Sequence, residues 1–172
     1  MLRRLDPLLM LDEFHVALPG GFPDHPHRGF ETIILLWTQG QAGAGGPALW
    51  LNLPARLKMT DPKYQEIPAS GLPRAKDGNV EAIIIAGEAM GEKTNVFTNV
   101  PITYVHFTLT CPATHFHPLP VHHNAFVYVI SGSGRIGGES VEAHSVVQKV
   151  HASISSARRT ELENGQGGNT TC

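Results

Sequence analysis

Apolar and polar positions alternate along this chain in short runs, and turn residues interrupt almost every run. Short period-two segments bounded by Gly, Pro, Asn and Asp predict strands. Residues 1–14 read as an early strand, with Leu8, Met10 and the Leu11/Phe14 region facing inward and Asp12 and Glu13 on a solvated face. Thr32-Ile33-Ile34-Leu35-Leu36-Trp37 reads as a buried strand, and Ala48–Leu53 as another. Between them residues 38–47 hold four glycines and a proline and read as a linker. Lys58–Gly78, with Pro62, Pro68 and Pro73, predicts an extended connection anchored by Tyr64 and Ile67. Val80–Ala86 is the clearest strand, Ile102–Leu109 alternates as a half-buried one, and Phe126–Ile136 reads as strand, turn and strand. After Gly138 the pattern fades, and residues 151–172 carry too few large apolar side chains to offset their ordering entropy, so a disordered tail is expected.

Composition agrees with an all-β chain. With 172 residues, 41% of them hydrophobic, it is long enough to bury a core, and 18 Gly with 13 Pro favour a turn-rich protein. A net charge of −2 supplies no basic footprint, so neither direct nucleic-acid binding nor attraction to an anionic membrane is expected. No run approaches the ~18 apolar residues of a membrane span, and no apolar signal-peptide core follows Arg3-Arg4. Cys111 and Cys172 make no framework and read as free thiols of a reducing compartment.

The candidate chemistry lies in histidines. His25 and His27 sit one residue apart in Phe22-Pro23-Asp24-His25-Pro26-His27-Arg28-Gly29-Phe30-Glu31-Thr32. On an extended segment residues i and i+2 leave the same face, so two imidazoles can meet one cation. Glu31 keeps that parity if the strand stays regular through Gly29, and two imidazoles with a carboxylate suit a non-haem iron or similar centre. Against this stands a polar loop with two solvated histidines. His115 and His117 repeat the spacing without an acidic neighbour, and His106 reads as structural.

The stretch Leu5-Asp6-Pro7-Leu8-Leu9-Met10-Leu11-Asp12-Glu13-Phe14, followed by Pro19–Thr32, resembles the N-terminal signature of the pirin family. Further matching blocks are Leu49-Trp50-Leu51-Asn52-Leu53, Lys58-Met59, Pro62-Lys63-Tyr64-Gln65-Glu66, Ile85–Gly91 and Phe126–Gly132. The resemblance implies a bicupin architecture: two cupin (jelly-roll) β-barrels in tandem, here both incomplete. Residues 1–53 would be a truncated N-terminal cupin domain, 54–79 a connector, 80–150 a partial C-terminal cupin domain and 151–172 the tail.

The resemblance also implies one iron per chain, held in the first barrel by two histidines of an H-P-H motif, matched by His25 and His27, and by a later histidine and glutamate. That second metal motif should lie between Thr32 and Trp50, where nothing like it stands. The implied parent activity is iron-dependent quercetin (flavonol) 2,3-dioxygenase, weak or lost in this form. The alternative implied is a non-enzymatic transcription cofactor or signalling protein of nucleus and cytoplasm, with a transcription factor or G-protein α-subunit as partner.

Overall fold

In a computed structural model of the chain, residues 5–16, 25–35, 37–38, 44–148 and 152–156 are described. Among them the regular structure is strand with two 3-10 turns and no α-helix, as the alternation predicts.

The first sheet contains β1 (Leu8–Val16), β2 (Phe30–Ile34), β3 (Trp37–Thr38) and β4 (Ala44–Asn52). β4 is central and antiparallel to its neighbours, with β1 on one side and β2 and β3 on the other. β4 is thus paired along both edges, and Ala48, Leu49 and Leu51 on it are buried while Trp50 is half-buried. The linker expected over 38–47 is corrected from Ala44 onward. Gly45, Gly46 and Pro47 are buried strand residues opposite His15, Phe14 and Glu13, while residues 39–43 lie outside the described ones.

β1 also departs from its expected facing. Leu8 pairs with Leu51 but Met10 pairs with Trp50, so one extra residue enters the strand and its parity switches. Leu8 and Leu11 therefore share the face of buried Leu51 and Leu49, whereas Met10 is 43% exposed. The same switch carries Glu13 inward, and its expected place on a solvated face is overturned.

The second half opens with β5 (Arg74–Asp77), β6 (Val80–Ala86) and β9 (Tyr104–Leu109) in the order β5-β6-β9, with the small hairpin β7 (Glu88–Ala89) and β8 (Glu92–Lys93) beside them. Ala82, Ile84 and Ala89 form a core onto which Ala75, Val105 and Phe107 pack. β10 (Thr114–His117), β12 (Ser133–Ile136), β13 (Glu139–Glu142) and β15 (Ala152–Ser156) make a sheet of order β10-β15-β12-β13, and β11 (Phe126–Tyr128) pairs with β14 (Val146–Gln148). Regular structure thus continues past Gly138. β15 also departs from the disordered tail over residues 152–156: its backbone pairs with both β10 and β12. Residues 157–172 lie outside the described ones.

Between the halves, Tyr64 is 87% exposed and Ile67 is exposed, so neither anchors the connection. Gln65 does: its Nε2 donates to the Phe97 carbonyl at 2.9 Å and its Oε1 accepts from Phe97 N at 3.1 Å, while Lys63 Nζ lies 4.4 Å above the Phe97 ring. β5 falls inside the stretch expected as connector and pairs with β6. Cys111 is disulfide-bonded, contrary to the expected free thiol.

Candidate metal centre

The loop that leads into β2 carries the histidine pair. Gly29 turns it with φ +76, a conformation L side chains seldom adopt, and the Gly29 carbonyl accepts from Leu53 N at 3.1 Å and Lys58 Nζ at 3.1 Å. Lys58 Nζ also donates to Asn52 Oδ1 at 2.6 Å, and Asn52 pairs with Phe30. One lysine therefore ties the end of the loop to the central strand.

His25 Nε2 and His27 Nε2 stand 2.9 Å apart with ring centroids at 4.8 Å. Two nitrogens bound at right angles to one ion, each ~2.1 Å from it, would be about 3.0 Å apart. Thr32 Oγ1 lies 3.2 Å from His27 Nδ1. With the ring proton on Nδ1 and donated to Thr32, His27 Nε2 accepts from His25 Nε2 in this structure, and a cation would take the place of that shared proton; the Thr32 contact is the outer support that histidine ligands need. Phe30 and Trp50 stack with centroids 4.7 Å apart and wall the His27 ring at 4.8 and 5.5 Å. Burial against this wall, and secondarily the neighbouring His25, push the His27 pKa down and favour the neutral ring that can ligate.

Glu31 does not join the pair. The turn at Gly29 breaks the parity that would have carried the side chain to the histidine face. Thr32 and its partner Trp50 stand on the histidine side; Glu31 pairs instead with buried Leu51. Its Oε2 accepts from Asn99 N at 2.9 Å and Asn99 Nδ2 at 2.8 Å, tying β2 to the second half. Among the described residues no group of three or more His, Cys, Asp and Glu side chains could hold a metal ion. The residues thus fit half of a metal shell: two nitrogen donors in cis arrangement, one of them held from behind.

Thr32, Trp50 and Lys58 were not singled out from sequence as parts of the site. Thr32 and Trp50 meet the histidines only through the β2–β4 register, which no local pattern announces.

His115 and His117 form a separate cluster on β10, with ring centroids 6.0 Å apart and both rings against Phe107. Burial lowers both pKa values, Asp77 partly opposing it at His115 and His115 adding to it at His117. His106, opposite Ile83 on β9, is lowered by burial and then by Arg74.

No protein-family model matches the chain. A pirin-like protein of Solanum lycopersicum is 40% identical over 171 residues, taking in 79% of this chain and 59% of that protein. Pirin of Homo sapiens is 34% identical over 189 residues, 89% of this chain and 64% of the human protein. A pirin-like protein of Arabidopsis thaliana is 36% identical over 181 residues, 83% of this chain and 67% of its own length. The chain thus spans about three fifths to two thirds of these relatives. An alignment over 189 positions exceeds the 172 residues of this chain, so the human protein carries residues between matched blocks that have no counterpart here. Among solved structures, a Geobacillus kaustophilus protein superposes with TM-score 0.76 at 23% identity, covering 88% of this chain and 78% of that one. A quercetin 2,3-dioxygenase from Acinetobacter baumannii superposes with TM-score 0.73 at 23% identity, covering 88% and 71%. These two likenesses establish the fold.

Proposed function

The chain belongs to the pirin family, and from that premise we propose that it is a pirin-type cupin protein whose His25 and His27 bind one divalent cation weakly, iron by family analogy, without flavonol turnover. The observation that carries this reading is the 2.9 Å separation of the two Nε2 atoms, with Thr32 behind one of them and no third protein donor among the described residues. A bound ion would supply Lewis acidity toward a hydroxyl oxygen. His25 and His27 would hold it, Thr32 would orient His27, and the Phe30–Trp50 stack would exclude water from one side.

Four-ligand structural zinc sites bind with about 10–16 kcal/mol, so half a shell is worth about 5–8 kcal/mol, a Kd of roughly 1–200 μM. That is too weak to keep iron through purification. The test is oxygen uptake by the iron-supplemented chain in the presence of quercetin. Uptake at the level of free iron, equal in wild type and the His25→Ala/His27→Ala double variant, is expected. Quercetin-dependent uptake that the double substitution abolishes would overturn the absence of turnover.

A second reading, a non-enzymatic partner-binding module, is favoured by the connector, where Met59 and Tyr64 are 77% and 87% exposed beside Lys58 and Gln65. A transcription factor or a G-protein α-subunit is the partner class that family analogy suggests. Loss of capture on Met59→Ser/Tyr64→Ser, with cation binding intact, would assign it to this surface.

A further inference from the structure

A cavity of about 800 Å³ lies where β1 and β4 face the second half. Leu8, Leu11, Leu49 and Leu51 form one wall, and residues from β9, β11 and β12, including Phe107, Phe126 and Ile136, form the other. The volume falls within the range of sites that enclose a drug-sized molecule. It is separate from the histidine pair: neither His25 nor His27 lines it.

Polar side chains, among them His106, His122, His123 and Asn124, border the cavity as well, and two of the polar atoms closed to solvent there belong to neutral groups. Tyr104 Oη and His117 Nδ1 are both closed to solvent and lack a hydrogen-bond partner. Burial drives the Tyr104 hydroxyl up, and burial followed by His115 drives His117 down, so both are neutral near pH 7. The same low-dielectric surroundings that penalise charge on these rings would penalise it on a ligand. Asp6, the one carboxylate in the lining, has Oδ1 engaged by Asn52 Nδ2 at 3.1 Å.

We propose that this cavity is a binding site for an uncharged, predominantly apolar polycyclic molecule, held by leucine and aromatic walls. Recognition rests on shape and apolar contact, and charge is the property that excludes a competitor.

Fluorescence titration of the full chain with 1-pyrenemethanol and with 1-pyrenecarboxylate, the same ring system carrying a negative charge at pH 7, tests the proposal. Saturable binding of one pyrenemethanol per chain is expected, at least tenfold tighter than the carboxylate and unchanged by EDTA. Leu11→Trp, in the β1 wall, and Ile102→Trp, at a lining residue just before β9, both fill the cavity, and each is expected to weaken binding at least tenfold while the far-UV spectrum stays that of the wild type. No saturable binding, equal affinity for the two compounds, or full affinity in a folded cavity-filled variant would overturn the proposal. The comparison between compounds needs no variant, so it stands even if both substitutions disturb folding.

Discussion

Thr32 touches His27 at Nδ1 and leaves Nε2 turned toward His25, and this asymmetry decides which atoms can meet a cation. Removing such an outer partner commonly costs 10–100-fold in affinity. Thr32→Val is therefore expected to weaken cation binding about tenfold by calorimetry, with Thr32→Ser restoring it and thermal stability little changed. Protonated imidazole cannot ligate, and the His27 pKa lies below the ordinary histidine value. Acidification should thus weaken cation binding, and the share of that loss carried by His27 sets in below the ordinary histidine value of about 6.5. Retained affinity at pH 5 would place the ion elsewhere. At this scale the sequence showed the two imidazoles through their spacing. It left Glu31 conditional on a regular strand through Gly29, and the turn there, with φ +76, does not meet that condition.

Among the strands, β9 and β10 carry three histidines whose pKa values burial lowers: His106, His115 and His117. In the unfolded chain each would titrate at about 6.5. Below that value the unfolded state binds more protons than the folded one, so stability is fully present above it and is lost as pH falls. Melting temperature is expected to decline between pH 7 and pH 5, with a shallower slope in His115→Leu/His117→Leu. A slope unchanged by that substitution would show that other groups carry the acid sensitivity.

Gly87, between β6 and β7, has φ +80, and a Cβ there would run into the Ile102 carbonyl and stand 3.0 Å from Thr103 Cα. Gly87→Ala should cost about 2–3 kcal/mol and lower the melting temperature by about 5–10 °C. Strands such as β6 were legible from their own alternation. β4 was not fully legible, because its glycines and Pro47 read as a linker in isolation and become strand only when β1 and β3 supply its partners on both sides. β15 was missed for the same reason: its order comes from two neighbouring backbones.

Across the whole molecule, polar contacts over long sequence separations hold the halves together. Tyr128 Oη donates to Glu13 Oε2 and lies 2.9 Å from His144 Nδ1, Asn124 Nδ2 donates to the Asp6 carbonyl at 2.7 Å, and Asn99 donates to Glu31. Burial, reinforced by the contact with Glu13, holds the Tyr128 hydroxyl up at about 12. Tyr128→Phe leaves a partly buried carboxylate short of a donor and should cost about 1–2 kcal/mol, read as a lower melting temperature without change in cation affinity. The fold class and the family were legible because matching blocks run through most of the chain in order. The function proposed for this chain turns on what two histidine donors can hold.

Native mass spectrometry of the chain titrated anaerobically with Fe(II), beside His25→Ala/His27→Ala, tests that claim most directly. One ion per chain, half-saturated at roughly 1–200 μM, removed by dialysis and absent from the double variant, is the predicted result. Iron retained through dialysis at one per chain, or uptake that survives loss of both histidines, would contradict it.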